Sequence, residues 1–158
     1  TRLGEAQILL PAFCAGALWL ALARPAGARG RLAQGNAHAH DHPARRSALR
    51  WVAGIAATTV VTTLSKIAFL GFGIGIAALD FTGFSGHSMY SWAILPVLAA
   101  IVAGWRGVPV GVALAMLITY SRVDLGAHSW SEAISGMALG AAAASWTLAD
   151  YLAHPGAA

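Results

Sequence analysis

The chain is dominated by apolar runs long enough to cross a bilayer, a crossing that takes roughly 17–25 residues of helix. Only 10% of its residues are charged and 58% are hydrophobic, whereas a soluble domain carries about 25% charged residues. It therefore reads as an integral membrane protein that needs no soluble core. The expected fold class is all-α, a polytopic transmembrane helical bundle in one domain, because a helix inside a bilayer satisfies its own backbone hydrogen bonds.

About five spans are expected. The first covers about 6–23, with Pro11 tolerated because neighbouring helices can satisfy the freed carbonyl. A basic loop over 24–47 follows, carrying Arg24, Arg29, Arg31, Arg45 and Arg46, with Arg50 just beyond it. The second span, about 48–67, places Trp51 as an interfacial anchor and Lys66 at the opposite surface. Residues 68–79 are apolar but broken by glycines and too short to cross, so they read as a re-entrant or surface segment. The third span, about 86–104, contains Pro96 as an expected kink. The turn Gly104-Trp105-Arg106-Gly107 permits only an antiparallel return. The fourth span, about 108–120, is short and implies a tilted or thinned fit. The fifth, about 131–152, carries Gly136 and Gly140 as a small-xxx-small pair for close helix contact.

Charge then orients the bundle. The formal charge is +4, almost all of it from arginine, with Lys66 as the one lysine. Seven arginines (Arg24, Arg29, Arg31, Arg45, Arg46, Arg50 and Arg106) fall on one side, against Arg2, Lys66 and Arg122 on the other. The positive-inside rule puts the arginine-rich side in the cytoplasm, which for a bacterial inner membrane leaves the other side facing the periplasm. Arginines gathered in one loop between spans set topology, and no nucleic-acid partner is expected. Cys14, the one cysteine, lies in an apolar run and reads as a packing residue, which excludes disulfides within the chain and cysteine-based zinc sites. The first run lacks the basic start and small-residue cleavage site of a secretory signal and reads as a retained helix.

On the side away from the arginine loop this topology collects Lys66, His87, Arg122 and His128. His128 and Glu132 are four residues apart at the start of a helix, so the carboxylate can hold one imidazole nitrogen and leave the other free to attack. At phosphorus, that nucleophile would form a phosphohistidine. His87 stands beside the N-terminus of the third span, where Ser85 and Gly86 can offer a hydroxyl and backbone amides to an anion. Lys66 and Arg122 would stabilise charge on the equatorial phosphoryl oxygens. Asp80 and Asp124, close by in sequence, read as solvated or structural.

The stretches Ser85-Gly86-His87 and Ser121-Arg122, five residues, His128, three residues, Glu132 resemble the second and third signature motifs of the type 2 phosphatidic acid phosphatase (PAP2) superfamily. The resemblance covers roughly 66–140. It implies a metal-independent phosphatase without cofactor in which His128 is the nucleophile, Glu132 orients it, and His87 protonates the leaving group and then activates water. Ser85, Gly86, Arg122 and Lys66 are the implied phosphate-binding residues. The family's first motif is Lys, six residues, Arg-Pro; after Lys66 those positions hold Gly73 and Ile74. Phe84 replaces the proline before Ser-Gly-His, and Glu132 stands where Asp is commoner.

The implied substrate is a lipid phosphate or pyrophosphate of the phosphatidylglycerophosphate, phosphatidic acid, undecaprenyl pyrophosphate or lipid A type. A binder or scaffold with weakened chemistry is the alternative, and a vanadate-dependent haloperoxidase-like use of the fold is a third. Two further patterns read as incidental. The cluster His38-Ala39-His40-Asp41-His42 is a histidine-rich loop on the arginine side, open to weak adventitious metal binding. Gly71, Gly73 and Gly75 follow no strand and lack nucleotide-loop spacing.

Overall fold

A computed structural model describes residues 6–22 and 43–153. Its described residues are all-helical apart from turns and one isolated antiparallel bridge between Ile76 and Phe81. The helices are α1 (Ala6–Leu22), α2 (Pro43–Phe72), α3 (Gly86–Ala103), α4 (Val108–Asp124) and α5 (Trp130–Ala153). Arg24, Arg29, Arg31 and the cluster from His38 to His42 lie outside the described residues.

Two helices differ from expectation in ways that matter for the site. α2 spans Pro43–Phe72 and not 48–67. Pro43 is compatible with a first helical turn, and the helix stops where Gly73, at φ 66°, turns its N–H back to the Phe69 carbonyl at 2.8 Å. That is a left-handed C-cap, which glycine adopts without a Cβ penalty. α4 continues past Tyr120 to Asp124, because nothing breaks the helix before Gly126, whose φ is 64°. Ser121 and Arg122 therefore sit in its last turn, and the expected short fourth span disappears.

Two stretches are long and apolar enough to cross a membrane, Arg45–Phe72 and the α3–α4 hairpin over Gly86–Asp124; α1 adds a shorter apolar helix. In their most apolar windows only 11% and 22% of residues are buried, whereas the central helix of a soluble protein would be mostly buried. Large apolar side chains such as Leu64, Leu70, Val102 and Leu117 point outward instead.

Helix α3 is the axis of the bundle and touches the other four helices. Glycines make that possible on two of its sides. On α4, a Cβ at Gly111 would meet the Leu95 carbonyl and stand 2.6 Å from Pro96 Cα. On α5, a Cβ at Gly140 would run into the Met89 carbonyl and stand 2.8 Å from Trp92 Cβ. The expected Gly136–Gly140 pair thus does make a close helix contact, and Gly107, Gly111 and Ala115 form a matching stripe on α4 that the sequence reading passed over.

Trp51 corrects an expectation. It is fully buried, its ring edge-on to Phe13 at 4.9 Å, and its indole N–H donates to the Ala93 carbonyl at 2.9 Å. An indole with a partner for its N–H can serve as core. Cys14 is exposed and does not pack inside. At the end of the bundle away from Lys66, the buried Asp150 carboxylate accepts from Ser47 Oγ at 3.1 Å and pairs with Arg50 at 3.1 Å and Arg46 at 3.4 Å. These two arginines, both within the first turns of α2, thereby tie it to α5.

Over-packing a close helix contact costs about 1–3 kcal/mol. Gly140→Ala and Gly111→Ala are each expected to lower stability by that order, while Gly71→Ala, with nothing within 4 Å of the added methyl, should be neutral or mildly stabilising. Thermal unfolding of the purified variants in detergent checks this; a Gly140→Ala variant as stable as the parent would contradict the close approach.

Candidate functional site

The turn that carries Ser85-Gly86-His87 is built by its neighbours. After α2 the chain forms a tight loop closed by paired Ile76 and Phe81 backbone groups at 3.0 and 3.2 Å. Asp80, at φ 48°, makes the corner and is exposed. Gly83, at φ 141°, lies against α2, where a Cβ would stand 3.2 Å from both Ser65 Oγ and Lys66 Cγ. Phe84 then donates its N–H to Ser65 Oγ at 3.2 Å. A proline at this position could make no such bond, so the departure at Phe84 has a structural use: it anchors the turn to α2 one residue before Lys66.

Ser85 starts α3. It is fully buried, and its hydroxyl accepts from the Ser88 N–H at 3.4 Å as an N-cap. Its own N–H donates to the Glu132 carbonyl at 3.1 Å. A Cβ at Gly136 would strike the Ser85 carbonyl, so glycine there brings α5 onto the turn. The Ser85 amide, expected to face an anion, is thus committed to α5. What Ser85 retains for a ligand is its hydroxyl hydrogen, followed by the Gly86 and His87 amides of the first turn.

On α5 the residues Ser129-Trp130-Ser131-Glu132 have the spacing of a capping box. Half of that box forms: the Ser129 hydroxyl accepts from the Glu132 N–H at 3.3 Å. The Glu132 carboxylate goes elsewhere. One oxygen accepts from His128 Nδ1 at 2.8 Å, and the other accepts from the Thr82 N–H at 2.8 Å and from the Thr82 hydroxyl. With its side chain only 6% exposed and that of His128 14%, the carboxylate fixes one nitrogen of the ring and leaves Nε2 as the outward one. His128 itself lies in the bend two residues before α5, not within the helix.

The two imidazoles meet. The ring centroids of His87 and His128 are 6.4 Å apart with planes at 50°. Arg122 is joined to the same corner through its carbonyl, which accepts from the Ala127 and His128 N–H groups at 3.0 and 3.3 Å, and its Nε is buried without a partner. Lys66 is half-buried beside the Gly83 turn. Hence His87, His128, Glu132, Ser85, Gly86, Arg122 and Lys66 all lie at one end of the bundle. Gly73 and Ile74, where the family has Arg-Pro, are exposed beyond the end of α2.

Sequence reasoning missed Thr82 and Ser65, the two hydroxyls that hold the site in register. Their signal is faint: each is a small polar residue in an apolar stretch, and only the fold reveals that they face Glu132 and Phe84. Among the described residues no three His, Cys, Asp or Glu side chains converge as a metal ligand set.

No protein-family model matches the chain, and no solved structure matches it. It is similar to a curated protein of Klebsiella pneumoniae named "Uncharacterized 22.5 kDa protein in cps region", with 43% identity over 105 residues, covering 62% of this chain and 50% of the relative. The chain thus spans half the length of that relative.

Thr82→Val removes one of the donors to a buried carboxylate oxygen, a loss worth about 1–3 kcal/mol. It is expected to lower stability by that order, and Thr82→Ser, which keeps the hydroxyl, should restore most of it. Denaturant unfolding of both variants tests the assignment; equal losses in the two would show that the methyl, not the hydroxyl, matters.

Proposed function

We propose that the bundle sits in a membrane as a PAP2-type phosphatase that hydrolyses a lipid phosphate or pyrophosphate monoester through a phosphohistidine on His128. The observation that carries this reading is the carboxylate-held imidazole of His128 facing the ring of His87 at 6.4 Å. One ring is oriented as a nucleophile, and the second stands close enough to serve the same phosphoryl group.

In the first step the His128 Nε2 lone pair attacks phosphorus, the bond to the lipid oxygen breaks, and a proton passes from His87 to that oxygen. In the second, His87 takes a proton from water, whose oxygen attacks the phosphohistidine, and inorganic phosphate leaves with His128 restored. Glu132 keeps Nδ1 protonated and carries the opposite charge as the ring becomes cationic on phosphorylation. Arg122, Lys66, the Ser85 hydroxyl and the amides at the start of α3 bind the phosphoryl oxygens.

The outward-facing apolar side chains support a bilayer setting. The stretches Arg45–Phe72 and Gly86–Asp124, long and apolar enough to cross, support a bilayer-spanning bundle; in the five-span reading the site lies on the side away from Arg45, Arg46, Arg50 and Arg106, which in a bacterial inner membrane is the periplasmic side. There the phosphate would meet the site at the interface while the lipid tail stays in the bilayer.

A second reading has a specific observation behind it. With Gly73 and Ile74 exposed at the positions of the family's Arg-Pro, Lys66 and Arg122 are the cations that the described residues supply at this end. A lipid-phosphate binder with weakened catalysis would look the same.

Turnover separates the two. Purified chain should release phosphate from phosphatidic acid in mixed micelles with chelator present, and acid quench should trap an acid-labile phosphoenzyme. His128→Ala should abolish both. His87→Ala should lower release by roughly 10²–10⁴-fold, the contribution of general acid–base catalysis, while still accumulating phosphoenzyme from an aryl phosphate, whose leaving group needs no proton. Release by His128→Ala at the parent rate would remove the mechanism.

A further inference from the structure

The seam between α3 and α4 has a register fixed by one bond. Trp92 Nε1 donates to Thr119 Oγ1 at 3.0 Å, and Thr119 in turn donates to the Ala115 carbonyl at 2.9 Å. The two helices run antiparallel, so Ser88, one turn before Trp92, and Arg122, one turn after Thr119, both lie on the site side of that bond. Both carry a buried polar atom without a partner, Ser88 Oγ and Arg122 Nε. Ser88 is fully buried.

A buried hydroxyl or guanidinium N–H left unpaired is costly, more so when charged. Ser91 and Ser121 avoid it, Ser91 Oγ donating to the His87 carbonyl at 2.6 Å and Ser121 Oγ to the Ile118 carbonyl at 2.8 Å; Thr62 Oγ1 on α2 is the third such unpartnered atom among the described residues. Ser88 and Arg122 do not, and they flank the two histidines. Ser88 follows His87 directly, and the Arg122 carbonyl accepts from the His128 N–H at 3.3 Å. The Arg122 Nε N–H is therefore uncommitted, and a guanidinium can grip a tetrahedral oxyanion side-on through Nε and one Nη by two parallel N–H bonds.

We propose that Ser88 is a phosphate-binding residue: its hydroxyl donates to one non-bridging phosphoryl oxygen from the α3 side while the Nε edge of Arg122 grips the group from the α4 side. The anion's identity rests on the phosphatase reading above. Ser88 supplies from within the bundle a donor to phosphate at a site where the Arg-Pro positions of the first motif supply none. The resembled motif ends at His87, so neither the motif nor the composition singles Ser88 out.

The test uses the full chain in detergent with chelator, titrated with inorganic phosphate and, separately, orthovanadate, reading affinity by calorimetry and unfolding temperature with and without the anion. Ser88→Ala is expected to weaken both anions by roughly 10–100-fold, the loss of one hydrogen bond to a charged group, and to keep or raise the anion-free unfolding temperature, since it removes a buried hydroxyl that has no partner there. Ser91→Ala, whose hydroxyl is already bonded within its own helix, should keep the parent affinity. Ser88→Cys, close in size but a weak donor, gives the same comparison should the alanine variant fold poorly.

Parent-like affinity in Ser88→Ala, no anion binding by the parent chain, or a loss matched by Ser91→Ala would each overturn the assignment. Anion binding that depends on Ser88 in a chain that releases no phosphate would uphold it and remove the phosphatase reading. Phosphate release with parent-like affinity in Ser88→Ala would do the reverse.

Discussion

Close backbone approach along α3 is the constraint from which the site follows. At Gly136 the α5 backbone comes onto the Ser85 carbonyl and at Gly140 onto that of Met89, and no residue with a Cβ fits without moving a helix. Only at that separation can the Ser85 N–H reach the Glu132 carbonyl and Thr82 reach the Glu132 carboxylate. The same economy of volume at Gly107, just before α4, and at Gly111 within it sets the register of α4 against α3. Without water to drive apolar surfaces together, small residues are the means by which helices in a bilayer gain packing contact.

Glu132 joins the two halves of the site. Its carboxylate is buried, so an unpaired oxygen would be expensive; His128 satisfies one oxygen and Thr82 the other. Helix α5 and the turn before α3 are therefore coupled through a single charged group, and the orientation of His128 depends on Thr82, fifty positions before Glu132. Phe84 plays a comparable part on the α2 side, where an N–H that a proline would lack bonds Ser65.

The far end of the bundle is held by different means. Asp150 draws Ser47, Arg46 and Arg50 to one buried carboxylate, with the half-exposed Arg46 contributing less than the more buried Arg50. The bundle is thus fastened by charge at the arginine end, by glycine contacts along its length, and by a Glu-centred network at the site.

The helical class and the helix order were legible in the sequence because apolar length and sparse charge leave few alternatives. The clustering of Lys66, His87, Arg122 and His128 was legible too, since it depends only on which helix ends face the same way. Tertiary structure alone decided where α2 and α4 stop, because a C-cap is set by a backbone angle at Gly73 and a missing breaker before Gly126. It alone put Trp51 inside, since burying an indole requires a carbonyl partner that lies 42 residues away. It also decided that the Ser85 amide serves α5 and that Thr82 and Ser65 hold the site in register: each is a small hydroxyl residue whose meaning comes from the group it faces, and no spacing along the chain records that.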